Sequence, residues 1–433
     1  MKNIFFSILV LLCFAANAQD DISPVPPQKG TFYIMHATIH VGNGNVINDG
    51  TIKITDGKIA EVGNNISVSG NDIIDVKGEQ VYPGLILPET DLGIKEIAEA
   101  VRGSNDYQEL GEWNPDVQSA VAYNTDSKII NTLKSNGILL ANVAPMGSLI
   151  AGTSSVMQLD AWNWEDALYK RNSGIEFYMP ALINRRNRFG GGRFGQQEET
   201  DPVKEGLEKI DEVKKFFREA KAYSQENTHT ETNLKFEALK ALFNKQEKLF
   251  IHANIVRQML IAIDFAKEFG IDVVIVGGTE SWQIAALLKQ NNIPVILSRE
   301  YRLPETEDED VDQPFKTPYF LKQAGVLFAL NDDHEEARYR NLPFNAGMAA
   351  ANGLTKEEAL QAITLNAAKI LGIDDRTGSI EAGKDANIVV SEGDILDMRT
   401  SIITHAFIQG RQVSLENKQT ELYKKYMTKY GLK

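Results

Sequence analysis

The chain has 433 residues, 43% of them hydrophobic and 24% charged, with a formal net charge of −14. Such a length is too great for one small core and predicts a large domain with a smaller companion, while the acidic surplus argues against nucleic acid or an anionic membrane surface as partner. The single cysteine, Cys13, lies in the leading segment, so a chain without that segment has no disulfide, thiolate metal site or cysteine nucleophile.

Residues 1–18 have a basic start, a short apolar run and a small-x-small end at Ala16-Asn17-Ala18. This is the pattern of an export signal cut before Gln19, and it predicts a periplasmic or secreted protein. Lipidation at Cys13 is the weaker alternative, because bulky leucines precede it. No later run is long and apolar enough to cross a membrane, so none is expected as partner once the signal is removed. Residues 19–30 form a Pro-containing linker. Residues 31–80 alternate apolar and polar, with turn signals at Gly42-Asn43-Gly44, Asn48-Asp49-Gly50 and Asp56-Gly57, which predicts a β-meander. His36 and His40 fall on one face of its first strand but roughly 13 Å apart, too far to share a metal.

Next comes the stretch Tyr82–Gly93, where a Pro-Gly loop enters a short apolar strand that stops at closely spaced acids. If that strand persists to its end, Glu89 and Asp91 project together, because strand side chains alternate with period two. From Ile86 onward, apolar runs alternate with amphipathic helices: Gly137–Asn142, Ser155–Leu159, Leu249–Ala253, Val273–Val276, Pro294–Leu297 and Val326–Leu330. Alternation of this kind implies a parallel sheet, and the count suits an eight-stranded barrel over residues 81–377. Asp201-Pro202 marks one helix start, and Thr355 with Glu358 forms a capping box. The latter opens a helix that buries Leu360, Ile363, Ala367 and Ile370 and closes at Gly372.

The β pattern returns at Ala386–Ser391 and Ile402–Ile408, with a turn at Gln409-Gly410 and then Val413. Residues 378–414 are therefore expected to join residues 31–80 in one small β-sandwich. Residues 415–433 read as a solvated helix with Leu422, Tyr426 and Tyr430 along a stripe. Two segments look like excursions from the barrel. Arg185–Gly195 lacks the lysine and spacing of a phosphate loop and is expected to be a surface loop; Glu305–Asp312 is an acidic run expected to stay solvated.

Several separated blocks, in order, resemble the amidohydrolase superfamily, in particular its secreted imidazolonepropionase-like members. They are Ala37–Gly44 (ATIHVGNG), Val81–Ile86 (VYPGLI), Asn341–Pro343, Glu358–Gly372 (EALQAITLNAAKILG) and Gly378–Val390 (GSIEAGKDANIVV). The resemblance covers nearly all of the chain after the signal. It implies a distorted (β/α)8 TIM barrel with a small β-sandwich, and a metal at the C-terminal mouth that activates water for C–N hydrolysis. The family's ligands are a His-x-His pair ending the first strand, a lysine or acid from the fourth, histidines ending the fifth and sixth, and an aspartate after the eighth.

Here the pair is replaced by Glu89 and Asp91, and His252 matches the fifth-strand ligand. Gly277 stands at the sixth, Asp333 matches the eighth-strand aspartate with Asp332 and His334 beside it, and no fourth-strand lysine is identified. The implied site has Glu89, Asp91 and His252 as metal ligands and Asp333 as general base. The metal would be one divalent Zn, Mn or Mg ion, with the oxygen-rich set favouring harder cations, or the site holds none. Two functions follow: a hydrolase of amide, cyclic amide or peptide-like C–N bonds acting on a small molecule, or an inactive barrel that serves as a ligand- or partner-binding scaffold. A homologous amidohydrolase and a second copy in a homodimer are the protein partners considered. Hydrolysis by paired carboxylates without metal ranks behind both.

Overall fold

The computed structural model describes residues 23–70, 72–96, 105–147, 149–183, 201–226, 228–298, 301, 309–332 and 336–432. Residues 1–22, which include the predicted export signal, Arg185–Gly195, the first half of the acidic run (305–308) and Asp333 with His334 lie outside the described residues. Two eight-stranded sheets organise the rest.

The first sheet draws on both ends of the chain. It contains β1 (Thr31–His40), β2 (Val46–Thr55), β3 (Lys58–Gly63), β4 (Ile73–Asp75) and β5 (Gln80–Pro83), joined by the later β14 (Ile388–Ser391), β15 (Ile403–Ile408) and β16 (Arg411–Gln412). As expected from the two flanking β patterns, they meet where β5 pairs antiparallel with β14. Period-two alternation then serves two cores at once. Val81, Ile388, Val390 and Phe407 face the sheet's own core, whereas Tyr82, Val389, Ala406 and Ile408 face the barrel.

Two local readings need correction. Asn48-Asp49-Gly50 is not a turn: Asp49 takes a left-handed φ of 52° inside β2, and the ladder with β1 slips there. A second slip at His36, with φ 56°, breaks the one-face alternation predicted for the two histidines. His36 is exposed against Asp75, while His40 is half-buried and reaches across to the barrel's helix Lys356–Ala362.

The second sheet is the barrel: β6 (Leu85–Thr90), β7 (Ile138–Val143), β8 (Ile150–Gln158), β9 (Leu168–Tyr178), β10 (Lys248–Ala253), β11 (Val273–Gly277), β12 (Val295–Leu297) and β13 (Phe328–Leu330). All neighbours are parallel except around β8, which runs antiparallel to β7 and β9. The cause is length: residues 144–149 are too few for the helical crossover that a parallel return needs. One set of strand side chains, including Ile86, Leu140, Phe250, Val274, Ile296 and Ala329, packs inside the barrel. The alternate set, such as Leu85, Leu139, Leu249, Ile275 and Leu330, packs outward with the helices.

Among the described residues no ladder joins β13 to β6. That seam is bridged by a segment predicted to be mid-helix. The amphipathic stretch after the Thr355–Glu358 capping box splits into Lys356–Ala362 and Leu365–Leu371, with Thr364 held off helical geometry between them. The break frees Ile363 O to accept from Ile86 N at 3.0 Å, and Asn366 Nδ2 donates to Phe328 O at 3.0 Å. Ala367, Ala368, Ile370 and Leu371 then close the barrel floor.

The two units are fastened by buried ionic contacts. Asp385 accepts from the Tyr169 hydroxyl at 2.7 Å and from Arg376 at 3.0 Å, and pairs with Lys58 at 2.8 Å. Burial would raise its pKa, but Lys58, Tyr169 and Arg376 outweigh that and hold it below the usual carboxylate range. His40 is the second fastener. Its Nδ1 lies 2.6 Å from Glu357 and its Nε2 3.0 Å from Gln80. Burial opposes its charge, yet the bonds to Glu357 and Gln80 prevail and the imidazole pKa is raised.

A group whose folded pKa is raised stabilises most below its unfolded value and loses that contribution as pH rises through the folded one. Unfolding free energy should therefore fall further between about pH 5.5 and about pH 8.5 in the native protein than in His40→Gln, by on the order of 1 kcal/mol in urea titrations. Equal slopes would remove His40 from the interface ledger.

Candidate metal centre at the barrel mouth

Three strand ends place ligand-type side chains in one small volume. One ligand atom each from Glu89, Glu176 and His252 lies within 4.8 Å of the others. His252 Nε2 is 3.0 Å from Glu176 Oε2 and 3.3 Å from Glu89 Oε1.

Backbone register explains the convergence. In β9 and β10, Glu176 pairs with Phe250 and Tyr178 with His252. Laterally paired residues of a parallel ladder point to the same face, and Phe250 points inside the barrel. Glu176, Tyr178 and His252 therefore face the interior near the C-terminal strand ends.

For β6, simple alternation gives the wrong answer. Ile86 points in and Leu87 out, so an unbroken strand would turn Glu89 outward. The ladder slips instead: Leu87 pairs with Ala141 but Thr90 with Val143, which leaves one extra residue at Pro88-Glu89. The bulge restores Glu89 to the inner face.

Asp91 is placed differently from the sequence expectation. β6 ends at Thr90, and Asp91 lies in the following turn, where its carbonyl accepts from the amides of Ile94 and Lys95. Its carboxylate accepts from the Tyr339 hydroxyl and sits 3.5 Å from Lys95 Nζ. It is buried but belongs to that group of contacts, not to the ligating trio. Asp332, two residues past the end of β13, is also buried and close enough to oppose ionisation of Tyr339. The expected base, Asp333, follows it outside the described residues.

Glu176 went unrecognised in the sequence, although it fills the fourth-strand position left blank there. Its signal is a solitary glutamate between Ile175 and Phe177, in a run otherwise suited to a strand buried on both faces. The residue is fully buried, and burial pushes its carboxyl up to about 8, with Ser154 opposing. Oε1 has no hydrogen-bond partner among the described residues. Near neutral pH the carboxyl therefore keeps its proton unless a positive charge stands beside it.

That buried oxygen and the two neighbouring donors fit a divalent cation: two carboxylates and one imidazole form an oxygen-rich set. Tyr178 stacks on the His252 ring, centroids 3.7 Å apart at 13°, and its hydroxyl donates to Pro145 O at 3.3 Å. The imidazole is thus held by packing as well as by its carboxylate partners.

The sixth-strand position carries no side chain. Gly277 has φ 97°, and a Cβ there would meet Asn254 Oδ1 at 2.3 Å. The Asn254 carboxamide, which accepts from the Thr279 hydroxyl at 3.1 Å, occupies the space a side chain would need.

Comparison with known proteins agrees with this architecture. The model of the amidohydrolase family matches residues 211–413. The imidazolonepropionase of Picrophilus torridus is 25% identical over 400 residues, covering 86% of this chain and 94% of that protein. The imidazolonepropionase of Shewanella oneidensis is 38% identical over 91 residues, and this match spans only 20% of either protein. Among solved structures, an amidohydrolase from Thermotoga maritima superposes with a TM-score of 0.75 at 26% identity, covering 88% of this chain and 99% of that one. The barrel, the terminal sheet and these matches together make the chain similar to the amidohydrolase superfamily and, within it, to the imidazolonepropionases.

Proposed function

We propose that this protein is an exported hydrolase that cleaves a C–N bond in an amide, cyclic amide or peptide-like small molecule, using one divalent cation held by Glu89, Glu176 and His252. The convergence of those three side chains at the C-terminal strand ends carries the proposal, because that end is where a barrel of this kind places its chemistry. When bound, a divalent ion supplies a polarised carbonyl and a water of lowered pKa.

The chain's own residues do the rest. Glu176 would hold the ion through its carboxylate and would have to lose its proton to do so, so ligation and deprotonation would be coupled at its carboxyl. Tyr178 keeps the His252 ring in the plane that aims Nε2 at both carboxylates. Asp91, tied to Tyr339 and Lys95, shapes the turn at the mouth rather than ligating. Asp333, one residue beyond buried Asp332, serves as general base and takes the proton from the attacking water.

Metal analysis of the purified protein should find about one equivalent of divalent ion. Glu176→Gln or His252→Ala should weaken binding at least about tenfold, while Asp91→Asn leaves it within about threefold. Asp333→Asn should keep the metal and lower turnover of lactam, cyclic imide or dipeptide substrates by about 100-fold or more. Protein that stays metal-free in added Mn²⁺ or Zn²⁺ would overturn the hydrolytic reading.

A second reading, a non-catalytic barrel that binds a ligand or partner, is favoured by one observation: the Asn254 carboxamide blocks the sixth-strand ligand position over Gly277. The blockage itself is testable. Gly277→Ala should cost about 2–3 kcal/mol, from the clash and the left-handed φ together. Asn254→Ala should relieve part of that cost in a double-mutant cycle of denaturant midpoints. Additive effects would mean that the carboxamide does not obstruct the position.

A further inference from the structure

Asn142 lies on the inner face of β7. Leu140 before it packs inside the barrel, Leu139, Ala141 and Val143 pack outward, and its ladder partner on β8, Val156, is also inside. Towards β6 the register runs from Leu87–Ala141 to Thr90–Val143, so Asn142 stands opposite the Pro88-Glu89 bulge. Neighbouring strands are about 5 Å apart. Asn142 and Glu89 are therefore side by side on the inner face, at the level of the ligating trio.

The residue is fully buried, and only one end of its carboxamide is engaged. Oδ1 accepts from the Ser173 hydroxyl at 2.5 Å. Ser173 Oγ also lies 3.0 Å from Ser154 Oγ, and the Ser154 hydroxyl donates to Gly174 O at 3.1 Å, so a chain of buried hydroxyls fixes the direction of the amide. Nδ2, with two protons to give, has no hydrogen-bond partner among the described residues. A core asparagine with no further duty would satisfy both ends, since an unmet buried donor destabilises the fold. Asn142 instead carries an unused donor beside Glu89.

Loading of the site changes what Glu89 can accept. Its Oε1 lies 3.3 Å from His252 Nε2. A ring nitrogen that ligates a cation carries no proton, so in the loaded site Nε2 no longer donates to that carboxylate. We infer that Asn142 is a positioning residue of the cation site: with Oδ1 locked by Ser173, its Nδ2 donates to the Glu89 carboxylate once the ion is held. The inference rests on the hydrolytic reading above. Outer partners of this kind orient ligating groups and set ion affinity. A neutral amide does so without cancelling the negative charge that the cation requires, as a lysine at the same position would.

The test is calorimetric titration of the metal-free full exported chain with Mn²⁺, alongside its thermal unfolding without metal. Asn142→Leu, which keeps the branching and removes the donor, should bind Mn²⁺ at least about tenfold more weakly. Ser173→Ala, which keeps the donor and frees its direction, should bind at least about threefold more weakly. The metal-free thermal midpoint of Asn142→Leu should stay level or rise, because a buried donor without a partner is gone. Native affinity in Asn142→Leu together with a lowered midpoint makes Asn142 an ordinary core residue and overturns the inference. Native affinity in Ser173→Ala decides against it in the same way, including where the leucine variant does not fold. Wild-type protein that takes up no Mn²⁺ defeats the hydrolytic reading and this inference with it; equal uptake by the wild type and both variants defeats this inference alone.

Discussion

Lateral register in the parallel ladder is the constraint on which the mouth depends. Because β9 and β10 are hydrogen-bonded residue for residue, the choice of Phe250 for the barrel interior also settles where Glu176, Tyr178 and His252 point. Hydrophobic packing thus orients the polar site, since reversing any one of these residues would push Phe250 out of the core. Only Glu89 escapes the rule, and it does so through a bulge at Pro88. Proline cannot donate to a ladder, so a proline there makes the slip inexpensive and brings the carboxylate back inside.

The arrangement carries an electrostatic penalty that the rest of the fold must sustain. A fully buried glutamate beside a second carboxylate is costly as an anion, and its raised pKa expresses that cost. Offsetting stability comes from places remote from the mouth. The floor is closed by Ala367, Ala368, Ile370 and Leu371, the seam is bridged by Ile363 and Asn366, and Asp385 locks the terminal sheet to Tyr169 and Arg376. An open seam next to β6 would leave Ile86 N without its acceptor and loosen the strand that carries Glu89. For that reason, the break in the helix after Lys356–Ala362 belongs to the support of the site.

These devices differ in how visible they are in the sequence. Apolar runs such as Leu249–Ala253 and Val273–Val276 declare themselves, because strands buried on both faces need continuous apolar residues. Helix starts at Asp201 and Thr355 are equally plain, since a cap is a local hydrogen bond. By contrast, β9 hides: Lys170, Arg171, the left-handed Asn172 and Ser173 interrupt its pattern, and Glu176 goes unnoticed with it. Asp91 was expected beside Glu89 because period two presumes a regular strand, and neither the bulge nor the stop at Thr90 leaves a periodic trace. The seam is hidden for a related reason: Thr364 interrupts the helix by its backbone angles while the apolar spacing runs on unchanged.

Charge is also distributed along the barrel axis in a way the net value conceals. Glu89, Asp91, Glu176 and Asp332 gather at the mouth, where the helices that follow the strands begin, whereas lysines gather at the foot, where helices end. Helix dipoles favour that polarity, and one charge per terminus would satisfy them. The foot meets that requirement, with Lys267 and Lys289 each in the last turn of its own helix, whereas the mouth exceeds it. There the excess is a buried carboxyl that keeps its proton near neutral pH unless a positive charge stands beside it. Lysines about a barrel's length away, across an apolar interior, are too distant to supply that charge. The charge balance at the mouth is therefore settled locally, at the Glu176 carboxyl.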